Sequence, residues 1–193
     1  METLLYLNVC IREAESRTKQ IAAPVLEALR KRYEVQTIDL THLTMPPINY
    51  QRHLGRMAGT VDPQALSWAK QVAAADRIVI AAPFWDMSFP AILKIFCENV
   101  SLFGVTFGEH PDHTARGLCR AKKLMLITTR GFDIEDGSPL DQGSSYLKAL
   151  GWLWGIPEVV TVSARGLDLC SPEEIAKRVE AAKEKALALA ESF

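Results

Sequence analysis

The chain has almost no net charge: 22 Lys and Arg against 23 Asp and Glu leave a formal −1 at pH 7. A surface without a strong field of either sign has no electrostatic hold on nucleic acid or on an anionic membrane, so neither is an expected partner. No apolar run is both uncharged and long enough to cross a bilayer. The opening residues, METLLYLNVCIRE, carry an acid where a signal peptide needs a basic region and read as a first strand. The protein is therefore expected to stay where it is made, in the cytoplasm. Cysteine is scarce: Cys10, Cys97, Cys119 and Cys170 form no CxxC, and no histidine stands at zinc-ligand spacing from them. Reduced thiols and no metal site are expected. The pair His110 and His113, beside Glu109 and Asp112, reads as a solvated loop. The phosphate-binding signatures GxGxxG and GxxxxGK[ST] are also missing, which leaves a Rossmann dinucleotide site or an NTPase P-loop unsupported. There are no repeats, and no Ser-His-Asp or paired-carboxylate constellation is visible.

What is present is ordinary globular material, 48% hydrophobic and 23% charged, and 193 residues suit one domain. Short apolar runs alternate with segments of helical periodicity. Strands are predicted at 3–9, 34–39, 76–82, 122–129 and 158–163. Helices are predicted at 16–32, from Asp62 and Pro63 to about 75, at 88–103, at about 141–153, and from the SPEE sequence at 171–174, read as a capping box, to the C-terminus. Such alternation predicts a doubly wound α/β domain, a five-stranded parallel sheet covered on both faces. Two long connections, 41–61 and 104–120, are read as loops and, being long, as functional.

Ligands of open parallel sheets bind outside the carboxyl ends of the strands. The peptides to inspect are therefore 8–18, 83–88, 128–132 and 163–166. In the first, NVCIREAESRT, the hydroxyls of Ser16 and Thr18 and the first free amides of a helix could cradle a phosphate, with charge from Arg12 and Arg17. Glu13 and Glu15 work against that, and a plain helix cap with solvated arginines is the alternative. In the second, a buried strand ends at Pro83 and then presents Phe84, Trp85, Asp86 and Met87, where small polar turn residues would be ordinary. The helix that follows shows few polar positions (Lys94, Glu98, Asn99 and Ser101), so it is expected to pack on the sheet and on something else.

The segment APFWDMSFPAILKIFCENV resembles the stretch after the third strand in the flavodoxin-like FMN-dependent NADH-azoreductases and NAD(P)H:quinone oxidoreductases. CIREAESRT resembles that family's phosphate loop, LITTRG its Ser/Thr-Arg-Gly after strand four, and FGVTF the segment ahead of that strand, all in family order. The resemblance implies sheet order 2-1-3-4-5 and a bound FMN. It places Arg12, Ser16, Arg17 and Thr18 at the phosphate with Cys10 nearby. Pro83, Phe84, Trp85, Asp86 and Met87 would run along the isoalloxazine, and Thr129, Arg130 and Gly131 would close the other side. It further implies NADH or NADPH as donor, a quinone or azo compound as acceptor and a two-electron ping-pong reaction carried by the flavin, with no catalytic side chain. Two active sites would lie at the interface of a homodimer formed through helix 88–103; a monomer with that helix roofed by residues 41–61 is the alternative. Apart from the resemblance, Trp152 and Trp154 in ALGWLWGIP are read as adding to a buried cluster. Tyr50, Phe107 and Phe132 are candidates for the acceptor slot, and Arg52, Arg56 and Arg116 for a 2′-phosphate.

Two positions depart from the family pattern. Cys10 replaces a serine, removing a good hydroxyl. Asp86 replaces an asparagine, so an acceptor stands where an amide could donate; it either turns away from the flavin or lowers its potential. These departures keep two other readings open: a flavodoxin-like electron-transfer module, and a flavin-free regulatory domain without nicotinamide turnover.

Overall fold

The most apolar runs become the central strands of the sheet. The computed structural model describes residues 1–193. Its elements are β1 Glu2–Asn8, α1 Arg17–Leu29, β2 Tyr33–Asp39, α2 Tyr50–Met57, α3 Pro63–Ala74, β3 Arg77–Ala81, α4 Ala91–Val100, β4 Phe107–Glu109, β5 Ala115–Gly117, β6 Lys123–Thr129, α5 Gln142–Trp154, β7 Glu158–Ala164 and α6 Pro172–Glu191. Five of the strands pair in parallel in the order β2-β1-β3-β6-β7. That is the expected 2-1-3-4-5 order once the short β4–β5 hairpin is set aside. The register aligns Leu5 with Ile78 and Ile78 with Leu124. Because side chains alternate along a strand, Leu5, Leu7, Ile78, Ile80, Leu124 and Leu126 fall on the face covered by α3, α4 and α5. Leu4, Tyr6, Val79, Ala81, Met125 and Ile127 fall on the face covered by α1 and α6.

Helix starts follow the caps. Ser16, Asp62, Asp141 and Ser171 each accept a bond from an amide of the first helical turn. The capping box expected at 171–174 is only half formed: Ser171 Oγ accepts from the Glu174 amide at 3.3 Å, but the Glu174 carboxylate accepts from Arg178 Nε at 3.0 Å instead of reaching back. The helix expected at 88–103 is shorter, since Pro90 stands at its N-cap and the Ser101 backbone leaves helical geometry.

Neither long connection is a plain loop. The first contains α2, which buries none of its residues and is fastened by side chains. Arg56 Nη1 and Nη2 donate to the carbonyls of Glu98 and Asn99 at 3.0 and 2.9 Å, and Arg52 Nη2 donates to Asn99 Oδ1 at 2.7 Å. These cations sit on the carbonyl end of α4, where the helix dipole favours them. Segment 41–61 thus roofs α4 within the chain, and Met45 enters the same core as Phe96. The second connection forms the β4–β5 hairpin, which crosses the C-terminus of α5 so closely that a Cβ on Gly117 would lie 2.1 Å from Gly155 N. Of the two tryptophans expected in a buried cluster, Trp154 is buried and donates from Nε1 to Ser101 Oγ at 3.1 Å, whereas Trp152 is 72% exposed.

Candidate functional site

Four strand ends meet at the carboxyl edge of the sheet around a cavity of about 230 Å³. Its lining comes from the β1–α1 connection (Arg12, Ser16, Arg17), the end of β3 (Pro83, Phe84, Trp85), the end of β6 (Thr129, Arg130, Gly131) and the segment after β7 (Leu167, Asp168). This is the switch point of the sheet, where β1 has β2 on one side and β3 on the other.

The first side is held open by local bonds. Asn8 Nδ2 donates to Asp39 at 2.8 Å, and Asn8 Oδ1 accepts from the Cys10 amide at 3.2 Å. The Cys10 thiol points inward and donates to the Ala81 carbonyl at 3.5 Å; it is fully buried, burial pushes its pKa up, and it does not line the cavity. The acids that counted against an anion site also lie outside the lining. Glu13 pairs with His42 at 3.0 Å and Glu15 with Arg12 at 3.3 Å. Ser16 Oγ caps α1 by accepting from the Lys19 amide at 3.2 Å. Thr18 is fully buried, its Oγ1 2.7 Å from Thr129 Oγ1, and so braces the first side against the third instead of facing the cavity. The amides of Arg17 and Thr18, at the positive end of the helix dipole, donate to nothing in the chain.

The second side is a tight turn. Trp85 and Ser88 exchange backbone bonds at 3.1 and 2.8 Å around Asp86 and Met87, whose φ values are +47° and +65°. Left-handed backbone is tolerated by Asp and Asn and costs Met more, so the turn is strained. Its effect is to lift Trp85, 44% exposed, onto the rim beside Phe84. Asp86 and Met87 make the turn and do not line the cavity.

The third side is a zipper. Phe84 N donates to Thr129 O, Arg130 N to Ala164 O, Leu167 N to Arg130 O and Asp168 N to Gly131 O, all between 2.8 and 3.1 Å. Asp168 lies so close that a Cβ on Gly131 would be 1.8 Å from Asp168 Oδ2. Leu167 and Asp168 were not expected from the sequence, because the inspected peptide stopped at residue 166; the readable sign was an acid just past Gly166 at a strand end. The Arg130 guanidinium turns into the protein. Nη1 donates to Ile134 O at 2.9 Å, and Nη2 donates to Asp141 Oδ2 at 2.8 Å and pairs with Asp136 at 2.9 Å.

The aromatic slot candidates are not gathered here. Tyr50 opens α2, Phe107 lies in β4 edge-on to Phe103, and Phe132, 65% exposed, follows Gly131 without lining the cavity. Arg52 and Arg56, engaged with α4, are not free for a 2′-phosphate.

A family model described as a flavodoxin-like fold matches residues 2–190. The chain belongs to this flavodoxin-like family. It is 34% identical to an FMN-dependent NADH:quinone oxidoreductase 2 of Clostridium perfringens over the whole of both chains. Among solved structures it is similar to an azoreductase of Bacillus anthracis, with a TM-score of 0.85 at 20% identity over all of both chains. An FMN-dependent NADH-azoreductase of the same species, in complex with FMN, gives a TM-score of 0.80 at 20% identity, covering 98% of this chain and all of that one. At such identities the structural likeness speaks for the fold, and the flavodoxin-like sheet above agrees with it.

Proposed function

We propose that the chain is an FMN-dependent oxidoreductase that uses NADH or NADPH to reduce a quinone or an azo compound by two electrons. For a quinone the balance is NAD(P)H, one proton and quinone giving NAD(P)⁺ and hydroquinone. The reading is carried by one observation: two unpartnered helix amides and an arginine without an acidic partner share a cavity with an aromatic rim. An anion and a flat ring on one molecule fit that combination.

The residues suit FMN in detail. Arg17, Arg12 and the amides of Arg17 and Thr18 would hold the phosphate, with Ser16 keeping the helix end in place. Asp168, which only accepts hydrogen bonds, suits the ribityl hydroxyls. The Gly131 amide is a donor without an acceptor in the chain, as are the amides of Asp86 and Met87 at the turn. When bound, FMN supplies reversible hydride uptake, which no side chain here can supply. Phe84 and Trp85 orient the ring and keep water from one side of it.

A cavity of about 230 Å³ is smaller than the 300–1,000 Å³ of most cofactor sites. It suits the phosphate and ribityl end, leaving the ring on the open shelf of Trp85. A second copy of the chain is the proposed cover. Trp152 stands exposed beside an apolar groove that includes Ile48, Tyr146, Leu150 and Leu153, next to α4. One slot serving donor and acceptor in turn gives ping-pong kinetics.

The test is the visible spectrum of the purified protein, before and after FMN is added and the excess removed, followed by NADH oxidation with a small quinone. A retained flavin spectrum and parallel double-reciprocal lines are expected. Absence of flavin at saturating FMN overturns the reading in favour of a flavin-free domain; retained flavin without NAD(P)H turnover favours an electron-transfer module.

A further inference from the structure

Arg130 and Asp141 are fully buried ionised groups placed between the β3 and β6 sides of the cavity. Both terminal nitrogens of Arg130 are engaged, and its guanidinium carbon lies 4.7 Å from the centre of the Phe84 ring, so the ring takes one face of the cation. Asp141 is the N-cap of α5. It accepts from the amides of Ser144 and Gly137 and from the Ser144 hydroxyl as well as from Arg130. The next amide, Gln142 N, donates to the Met87 carbonyl at 3.0 Å. The following residue, Gly143, is in contact with Phe89 and Ser88: a Cβ there would lie 3.4 Å from each. Arg130 therefore reaches the 83–88 segment by two routes. One is direct, through Phe84. The other runs through Asp141 and the first turn of α5 to the strained turn.

We infer that Arg130 is a positioning residue, which sets the gap between the 83–85 and 129–131 sides of the cavity through Phe84 and Asp141, and does not bind the phosphate. The inference rests on the FMN reading for its ligand, but its geometry belongs to the protein alone. A guanidinium can fill this place because its planar fork meets a carbonyl and a carboxylate while its face meets a ring. A lysine offers a single point charge and cannot do all three. Resemblance alone would have placed Arg130 among direct cofactor ligands. Its terminal nitrogens are engaged by the Ile134 carbonyl and the Asp136 and Asp141 carboxylates, which hold the guanidinium inside the protein.

The experiment compares FMN with riboflavin, which lacks the phosphate, by titrating apo protein and following flavin fluorescence. Arg130→Met is expected to weaken both ligands by the same factor, about thirtyfold, and Arg130→Lys by about tenfold. Arg17→Ala should weaken FMN alone. Combining Arg130→Met with Phe84→Leu should cost little more than either change, because they break one contact. Loss of FMN affinity with riboflavin affinity intact would make Arg130 a phosphate ligand and overturn the inference, as would unchanged affinity for both. Should Arg130→Met fail to fold, Asp141→Asn and Phe84→Leu carry the same comparison. A readout free of ligand completes it: in apo protein, Arg130→Lys should speed hydrogen exchange of residues 83–89 while leaving α6 unchanged. If the wild type binds neither flavin, the FMN reading fails, and this exchange result alone decides the positioning role. Unchanged exchange at 83–89 would end it.

Discussion

At the β1–α1 side of the cavity the amides of Arg17 and Thr18 have no acceptor in the chain and the Arg17 guanidinium has no acidic partner. At the β6 side, both terminal nitrogens of Arg130 and both carboxylate oxygens of Asp141 have partners within the chain, and both side chains are buried. An unsatisfied helix end at a surface costs little while water serves it, and it is ready for an anion. A buried charge without partners costs far more, so that side had to be completed internally. Binding and positioning are thus divided between the two sides. Changes at the first should alter affinity with little effect on stability, and changes at the second should alter both.

The sharpest way to break that contrast is Arg130→Met. It leaves the buried Asp141 carboxylate unopposed, and the expected loss is about 3–5 kcal/mol of folding stability, read by urea unfolding of the apo protein. A loss below about 1 kcal/mol, the level of a surface pair, would place the two sides on the same footing.

Asp141→Asn makes the same comparison through pH. Burial alone would raise the Asp141 pKa, but bonds from Ser144, Gly137 and Arg130 outweigh it and hold the carboxyl below its ordinary value. A depressed folded pKa means that the stabilisation is complete above the unfolded value of about 4 and is lost as pH falls through the lower folded value. The variant should lose about 2 kcal/mol at neutral pH and show a shallower decline of stability below about pH 4 than the wild type. An unchanged acid limb would show that another carboxylate governs it. Asp39, also held low by Thr41 and Asn8 against its burial, is the first to examine.

Arg17→Ala tests the open side. The expected result is roughly tenfold weaker FMN binding with a melting temperature close to that of the wild type, because no internal bond is removed. A large fall in melting temperature would mean that this side, too, is structural.

The same division explains how much could be read from the sequence. The sheet was legible because Leu4 to Leu7 and Ile78 to Ala82 are apolar runs with nowhere to go but a two-sided core, and the helix starts because their caps are local. The strand-end geometry then located the cavity, with Arg12, Ser16, Arg17, Pro83, Phe84, Trp85 and residues 129–131 all on its lining. What stayed hidden depends on distant partners. Helix α2 has no buried face and is fixed by Arg52 and Arg56 on α4, so periodicity could not reveal it. The β4–β5 hairpin has strands of three residues, too short for an alternating pattern. In LITTRG, an arginine at a strand end looks the same whether it faces a ligand or, as here, Ile134 and Asp141. Asp168 is brought beside Gly131 only by the pairing of the chain after β7.

The smallest effect is expected at Asp86, where sequence resemblance and structure assign different reasons to one residue. By resemblance the position faces the flavin, so exchanging carboxylate for amide should shift the midpoint potential. The structure puts Asp86 at the exposed first centre of the turn, with φ +47° and its side chain outside the cavity lining. The preference for Asp or Asn then comes from the left-handed backbone, which both accept. On that account Asp86→Asn should raise stability by a few tenths of a kcal/mol and leave the potential of bound flavin where it was. Asp86→Ala should cost about 1 kcal/mol, since alanine tolerates the left-handed region less well than Asp or Asn. A shifted potential in Asp86→Asn with unchanged stability would reverse the assignment: the carboxylate would then act on the flavin, and the turn would tolerate either side chain equally.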